Sequence, residues 1–241
     1  MNISIGFISE AKSKTDLLVF GLFEGETNPP KALNVVEPAA FQLVKTMIQK
    51  KHFTGKEGEQ YSTYHDDFKR TSQILALGLG KKDSWSREKF RRRVAGILSF
   101  AKSQNGGSIQ ILAETFTERG IRSDEAAALI AETLDRAQYR FDKYLTKKKD
   151  APKKEVHSID LLFSKKDQRK ALEAALSQAR IIADAVNFTR TLINEPANIM
   201  PPRELARYAR EVARAGKMRC QVLGPAEIKK LKMGGVIAVG Q

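Results

Sequence analysis

The chain has 241 residues, of which 41% are hydrophobic, and it carries a formal net charge of +14 at pH 7. This length can bury a sizeable core in one or two domains. No run approaches the roughly 18 to 20 apolar residues that span a bilayer, and residues 1–6 lack the basic region and apolar core of an export signal. These features exclude a membrane-spanning or exported class, so we expect a cytoplasmic protein with no membrane partner.

The chain contains one cysteine, Cys220. A single thiol excludes an internal disulfide and a multi-cysteine metal site, which also favours a reducing cytoplasm. Residues 218–223 alternate like a short strand, so we predict that Cys220 is a buried structural thiol and not a catalytic nucleophile.

Apolar runs and helical spacings predict an α/β fold over the first two thirds of the chain. Residues 3–8 and 17–23 are predicted to form two adjacent strands, and residues 37–50 a helix with one apolar stripe. Residues 53–64 suggest a hairpin. The clearest buried strand covers residues 73–79.

Strands and helices continue to alternate after this strand. A helix is predicted over 86–103, a strand over 109–113, a helix from Ser123 and a strand over 156–163. This order predicts a mixed sheet with parallel members and helices on both faces.

The last third of the chain is interpreted as a connecting helix and the incomplete start of a second α/β domain. One helical stripe extends over residues 166–187. The later elements are predicted as a helix over 202–215, a strand over 219–223, a short helix from Pro225 and an apolar strand over 236–239. We therefore assign residues 1–165 to an N-terminal α/β domain and residues 166–241 to the linker helix and the start of the second domain.

Basic residues form three clusters, and a net charge of this size attracts polyanions. In two of the clusters, the residues predicted to contact nucleic acid are Arg91, Arg92, Arg93, Lys147, Lys148 and Lys149. The third cluster consists of Arg203, Arg207, Arg210 and Arg214. The alternative interpretation is that these charges form solvated surfaces, as charge runs commonly do.

Two short motifs have both a functional and a structural interpretation. Gly78-Leu79-Gly80-Lys81 follows a strand and precedes a helix, a context in which glycines let amides approach a phosphate. The dinucleotide and phosphate-loop patterns are incomplete, so a tight turn is favoured. His65-Asp66-Asp67 contains metal-binding residue types, but such polar triplets usually mark turns.

The most informative segment has the pattern Arg190-x-Leu192-x-Asn194-x-Pro196-x-Asn198-x-x-x-Pro202. Its prolines disfavour both helix and strand, which is also expected of an ordinary interdomain loop. The pattern resembles the segment that leads into the metallopeptidase domain of the leucyl (cytosol) aminopeptidase family. Two flanking segments support the resemblance, Ala183-Asp184-Ala185-Val186-Asn187 and Ala238-Val239-Gly240-Gln241.

The resemblance implies a macro-domain-like N-terminal fold and a cytoplasmic homo-oligomer, a hexamer. It also implies hydrolysis of the first peptide bond of peptides with two divalent metals, manganese or zinc. In the family a lysine, aspartates and a glutamate hold these metals, in motifs that follow the Ala-Val-Gly-Gln segment.

This sequence contains none of those metal-binding motifs. We therefore expect a truncated chain with no catalytic or metal-binding residue, no bound metal and no peptidase activity. The alternative hypothesis is a basic module that binds DNA or contacts other subunits.

Overall fold

The computed structural model describes residues 1–11, 14–104, 106–146 and 155–239. The predicted nucleic-acid contacts Lys147, Lys148 and Lys149 therefore lie outside the described residues. The chain separates into two compact units, Met1–Asn187 and the residues from Phe188 onward. The proposed domain assignment of 1–165 and 166–241 stays a prediction.

The first unit is built around one six-stranded sheet. Its strands are β1 (Asn2–Phe7), β2 (Thr15–Phe23), β3 (Gln60–Tyr64), β4 (Thr71–Gly80), β5 (Ser108–Leu112) and β6 (Ser158–Phe163). Their order across the sheet is β1-β6-β5-β2-β4-β3. All neighbouring pairs are parallel except β3 and β4, which are antiparallel. The predicted mixed α/β fold is confirmed.

Two predicted strand pairings were wrong. The first two strands are not neighbours, because β1 pairs with β6 in a register that places Ile3 opposite Ile159. The suggested hairpin within 53–64 is instead formed by β3 with β4, where Ser62 lies opposite Leu75. An apolar run specifies burial but not the partner strand, so sequence neighbours can be separated in the sheet.

Helices follow the strands along the chain. They are α1 (Lys31–Val36), α2 (Pro38–Gln49), α3 (Arg87–Ser103), α4 (Ser123–Ala137), α5 (Arg169–Asn194), α6 (Pro202–Ala215), α7 (Pro225–Lys230) and α8 (Gly234–Val239).

Both faces of the sheet are covered by helices. Phe90 of α3, Ile130 of α4 and Leu172 of α5 belong to one buried core. Leu33 of α1 and Val44 of α2 belong to a second core. Along β2, successive residues alternate between these two cores, as the pleat of a strand requires. The predicted layering with helices on both faces is therefore confirmed.

Helix α3 shows how local sequence fixes an element. The Ser86 side chain accepts a hydrogen bond from the Lys89 amide at 3.3 Å, which caps the first turn. Phe90, Val94 and Ile97 recur at helical spacing and are all buried. Cap and stripe together confirm the helix predicted for residues 86–103.

In the second unit, helical predictions were confirmed and strand predictions were wrong. Helix α6 begins at Pro202 and α7 at Pro225, as predicted. Residues 219–223 form no strand, and residues 236–239 lie in α8. Cys220 is exposed and not buried. Helix α5 also extends beyond the predicted residue 187, into the family-like segment, and ends at Asn194.

Candidate functional site

The carboxyl ends of β2, β5 and β6 open into a cavity of ≈ 630 Å³, here called the carboxyl-edge crevice. Its lining includes Phe23 at the end of β2, Glu114 after β5 and Ser164 after β6. In open α/β sheets, ligands bind outside the carboxyl ends of the strands, at the point where the strand order reverses. Here β2 has β4 on one side and β5 on the other, so the order reverses at this crevice.

Lys82 of the crevice is paired with two carboxyl groups. Lys82 Nζ lies 3.1 Å from Glu26 Oε1 and 3.3 Å from Glu118 Oε2. The hydrogen bond from Lys82 to Glu26 is the main cause that raises the pKa of this lysine. Ser164 Oγ donates to the Glu114 carboxyl group. These groups can orient a polar ligand.

Sequence reasoning missed this crevice. Neither residues 25–30 nor Lys82 belongs to a motif that the sequence analysis singled out. The positions of these segments could have indicated the crevice, because the loop after β2 and the turn after β5 must both leave the same edge of a parallel sheet.

The two glycines of the Gly78–Lys81 motif let another part of the chain pack closely against them. A Cβ atom on Gly78 would lie 2.1 Å from the Lys56 carbonyl oxygen, and Gly80 adopts a φ of +77°. The Gly78 amide donates to Glu59 O, and the Gly80 amide donates to Gly55 O, both at 2.8 Å. Because these amides are already bonded within the chain, the structure does not support a phosphate site. The predicted tight turn was also wrong, because both glycines lie at the end of β4.

The predicted nucleic-acid contacts that the structure describes lie on α3. Arg92 is exposed and pairs with Glu88 at 2.7 Å, one helical turn earlier. Arg91 and Arg93 are half-buried. Consecutive helical residues point about 100° apart, so the three guanidinium groups do not form one stripe along the helix. Their role in binding nucleic acid stays a prediction.

The His65–Asp67 triplet forms a turn. The Asp67 amide donates to His65 Nδ1 at 3.2 Å, and the Asp67 carboxyl group lies 3.5 Å from the same nitrogen. Within residues 1–11, 14–104, 106–146 and 155–239, no group of three or more histidine, cysteine, aspartate or glutamate side chains could hold a metal ion. The described residues therefore do not fit the two-metal centre that the resemblance implies.

The family-like segment joins α5 to α6 in the second unit. After α5 ends at Asn194, the Ile199 and Met200 amides both donate to Pro196 O, at 2.9 and 3.0 Å. Pro202 then occupies the first turn of α6, where a missing amide hydrogen has no cost. The segment therefore forms a closed turn between two helices.

Among the described residues, no helix combines the length and the apolar character needed to cross a membrane.

Comparison with protein families gives two matches in chain order. Residues 19–148 match the cytosol aminopeptidase family, N-terminal domain, and residues 187–241 match the cytosol aminopeptidase family, catalytic domain. A probable cytosol aminopeptidase of Nitrosococcus oceani is 28% identical over 242 residues, which cover 100% of this chain and 48% of the relative. One from Ralstonia pickettii is 33% identical over 235 residues, which cover 94% of this chain and 45% of the relative.

Solved structures share the fold. A tomato leucine aminopeptidase mutant matches with a TM-score of 0.71 at 20% identity, over 96% of this chain and 46% of that chain. The bottromycin maturation enzyme BotP in complex with Mn matches with a TM-score of 0.63 at 19% identity, over 93% and 42%. The chain thus spans about half the length of the curated relatives that it matches.

Proposed function

Because the chain belongs to the cytosol aminopeptidase family, we propose that it supplies the N-terminal sheet domain and the start of the catalytic domain of an aminopeptidase. The reaction would remove amino acids from the N-termini of peptides. The observation that carries the proposal is the ordered pair of family matches, N-terminal domain over 19–148 and catalytic domain over 187–241. The assignment of relatives as probable cytosol aminopeptidases supports it.

The chemistry of the proposed reaction requires groups beyond the described residues. A bound divalent metal, manganese or zinc, would lower the pKa of an attacking water and polarise the peptide carbonyl. The described residues provide no cluster of metal ligands. We therefore assign this chain a structural role in the reaction, in which the α5–α6 turn at Pro196 leads the polypeptide into the catalytic domain.

The proposed cellular location and assembly of the enzyme are taken from its family. We propose a cytoplasmic location, since the matched relatives are named cytosol aminopeptidases. We also propose a homo-oligomer, a hexamer, as the working assembly.

Two hydrolysis assays test the proposed function. The purified chain, with leucine-p-nitroanilide and added manganese, is expected to release p-nitroaniline no faster than buffer does. A chimera that joins this chain to the Ralstonia pickettii polypeptide following the matched region is expected to hydrolyse the same substrate when manganese is added. The Ralstonia polypeptide without either N-terminal partner is the control. An inactive chimera that is folded, or an active isolated chain, would contradict the proposal.

Nucleic-acid binding is a second candidate function, favoured by the net charge of +14. Arg91, Arg92 and Arg93 are its described residues, while the pairing of Arg92 with Glu88 reduces the charge available to a phosphate. A gel-shift titration across salt tests it, because contacts to phosphates weaken steeply as salt rises. Binding of a duplex at about 0.15 M salt, weakened when the three arginines are changed to alanine, would support this function.

A further inference from the structure

One row of the sheet places three polar side chains next to one another. Ser4 of β1 lies opposite Asp160 of β6, Asp160 lies opposite Gln110 of β5, and Gln110 lies opposite Leu18 of β2. Leu18 belongs to the second buried core, so the row lies on the face of the sheet that carries this core. Polar groups buried on this face need hydrogen-bond partners from the row itself or from whatever packs on it.

Gln110 has an acceptor atom in this row that the described chain does not satisfy. The residue is 3% exposed, and its Oε1 atom has no hydrogen-bond partner among the described residues. A buried amide oxygen without a partner is unfavourable, because it has lost its bonds to water. Most such atoms in native proteins are paired, which indicates a hydrogen-bond donor from outside the described residues.

A cavity of ≈ 220 Å³ lies beside this row. Gln110, Asp160 and Leu162 of the sheet contribute to its lining, and so does Glu10 of the turn Ile8–Glu10 that follows β1. Pockets for whole drug-sized ligands measure about 300–1,000 Å³. This smaller cavity therefore suits the polar end group of a ligand.

The Asp160 carboxylate gives the cavity a preference for a cation. It accepts a hydrogen bond from the hydroxyl group of Ser4, which carries no charge. Glu10, in contrast, is already paired with Lys166 at 2.6 Å and with Arg169 at 3.3 Å. A ligand that complements Asp160 must therefore bring both hydrogen-bond donors and a positive charge.

We propose that this cavity binds a guanidinium group, carried either by a small molecule or by an arginine side chain of a partner protein. Gln110 and Asp160 are register neighbours on strands that lie about 4.8 Å apart, so one planar group can reach acceptors of both. A guanidinium group offers five N–H donors in a fixed fork, and it is more weakly hydrated than an ammonium group. The inference concerns the first unit alone and does not depend on the proposed function.

A titration of the purified chain with agmatine, followed by 1H–15N NMR, tests the proposal. The reporter is the side-chain amide of Gln110, whose assignment is checked by its loss in Gln110→Leu. We expect a saturable shift of this signal with agmatine and no comparable shift with urea, which has a similar planar shape but no charge. The net charge of +14 repels cations at long range, so saturable binding of agmatine reports a local site.

Three variants separate the cavity from the rest of the surface. Asp160→Asn keeps the size of the side chain and removes its charge, so agmatine should bind at least about tenfold more weakly. Gln110→Leu replaces an unpaired buried group by an apolar one, so folding should be kept while the affinity, measured from backbone amides of β5 and β6, falls. Glu88→Gln, an exposed position on α3, is the matched control and should leave the affinity unchanged.

A second ligand distinguishes the two sources of the guanidinium group. The tripeptide glycyl-arginyl-glycine, blocked at both ends, carries the group on a peptide backbone. Binding of this peptide at least as tight as that of agmatine would support the cavity and identify a protein side chain as its occupant. Binding of agmatine without binding of the peptide would support the cavity and identify a small molecule.

Three results would overturn the proposal. The first is no saturable shift of the Gln110 signal in the unmutated chain, which would mean that solvent suffices for this amide. The second is binding of butylammonium that equals or exceeds that of agmatine, since a guanidinium group would then have no advantage. The third is an undiminished affinity for agmatine in folded Asp160→Asn. The first two need no substitution, so they decide the proposal even if a variant fails to fold.

Discussion

Gly78 offers the sharpest test of how the first unit is held together. It lies in β4, where the loop that carries Gly55 and Lys56 crosses the strand. A Cβ atom at this position would lie 2.1 Å from Lys56 O, well inside any real carbon–oxygen contact. Gly78→Ala must therefore push the loop away from the strand. The loop cannot move without disturbing the hydrogen bonds from Gly78 N to Glu59 O and from Gly80 N to Gly55 O.

The expected cost can be worked out from these contacts. Forcing an extra methyl group into a packed site costs about 1–3 kcal/mol. Weakening two backbone hydrogen bonds adds about 0.5–1.5 kcal/mol for each bond. We therefore expect Gly78→Ala to lower the free energy of unfolding by about 2–6 kcal/mol.

Gly96 provides a control, because its replacement by alanine is expected to change the free energy of unfolding in the opposite direction. It lies in α3, and a Cβ atom there would meet nothing within 4 Å. Gly96→Ala removes the backbone entropy penalty of a helical glycine, so we expect it to raise the free energy of unfolding by about 0.5–1 kcal/mol.

Trp85 reports this unfolding without a label. It is the one tryptophan of the chain, it is 3% exposed, and it packs on Phe23 with ring centroids 5.4 Å apart. Urea denaturation followed by its fluorescence gives the free energy of unfolding of the first unit. An unchanged value for Gly78→Ala, or a loss of stability in Gly96→Ala, would refute the steric reasoning.

Three further predictions concern other parts of the chain. Glu37 accepts hydrogen bonds from the Lys69 and Arg70 amides at 2.9 and 2.7 Å, so Glu37→Ala is expected to lower the free energy of unfolding by about 2–5 kcal/mol in urea. Burial raises the pKa of Asp135 in the folded protein. The contribution of this carboxyl group to stability is therefore complete below the ordinary aspartate pKa, where it is protonated, and it is lost as pH rises through the raised pKa. Asp135→Asn should therefore gain stability relative to the wild type as pH rises from about 4 in urea titrations, and a constant difference would contradict this. Limited trypsin digestion should cleave after Arg210 or Lys229 earlier than it cleaves within α3, because few side chains of the described second unit are buried.

The sequence predicted elements whose determinants are local. Ser86 caps α3 and its apolar residues recur at helical spacing, so both the start and the buried side of this helix could be predicted. Pro202 marks the start of α6 for the same local reason. The neighbour of β1 could not be predicted, because Ile3 pairs with Ile159 far along the chain, and its own pattern specifies only burial.

The carboxyl-edge crevice was missed for a related reason. Lys82 lies between Glu26 and Glu118 only because β2 and β5 are neighbours in the sheet. In the sequence these residues belong to separate loops with no shared motif. A site assembled from strand ends becomes visible once the strand order is known, and nothing in a linear pattern supplies that order.

The wrong predictions in the second unit share one physical cause. Alternation at 218–223 and the apolar run at 236–239 are patterns of buried strands, and a strand needs partners and a covering layer. Residues 236–239 instead lie in a short helix, in which the Val236 and Ile237 amides donate to Met233 O at 3.1 and 3.2 Å.

Hydrogen exchange should differ sharply between the second unit and the buried sheet of the first unit. In the chain alone, the amides of 236–239 belong to a short helix with no buried residue, so they should exchange quickly. The amides of β2, which lie in the buried sheet, should exchange far more slowly. Equal exchange rates at 236–239 and in β2, after correction for the intrinsic rate of each amide, would contradict the link drawn here between burial and local stability.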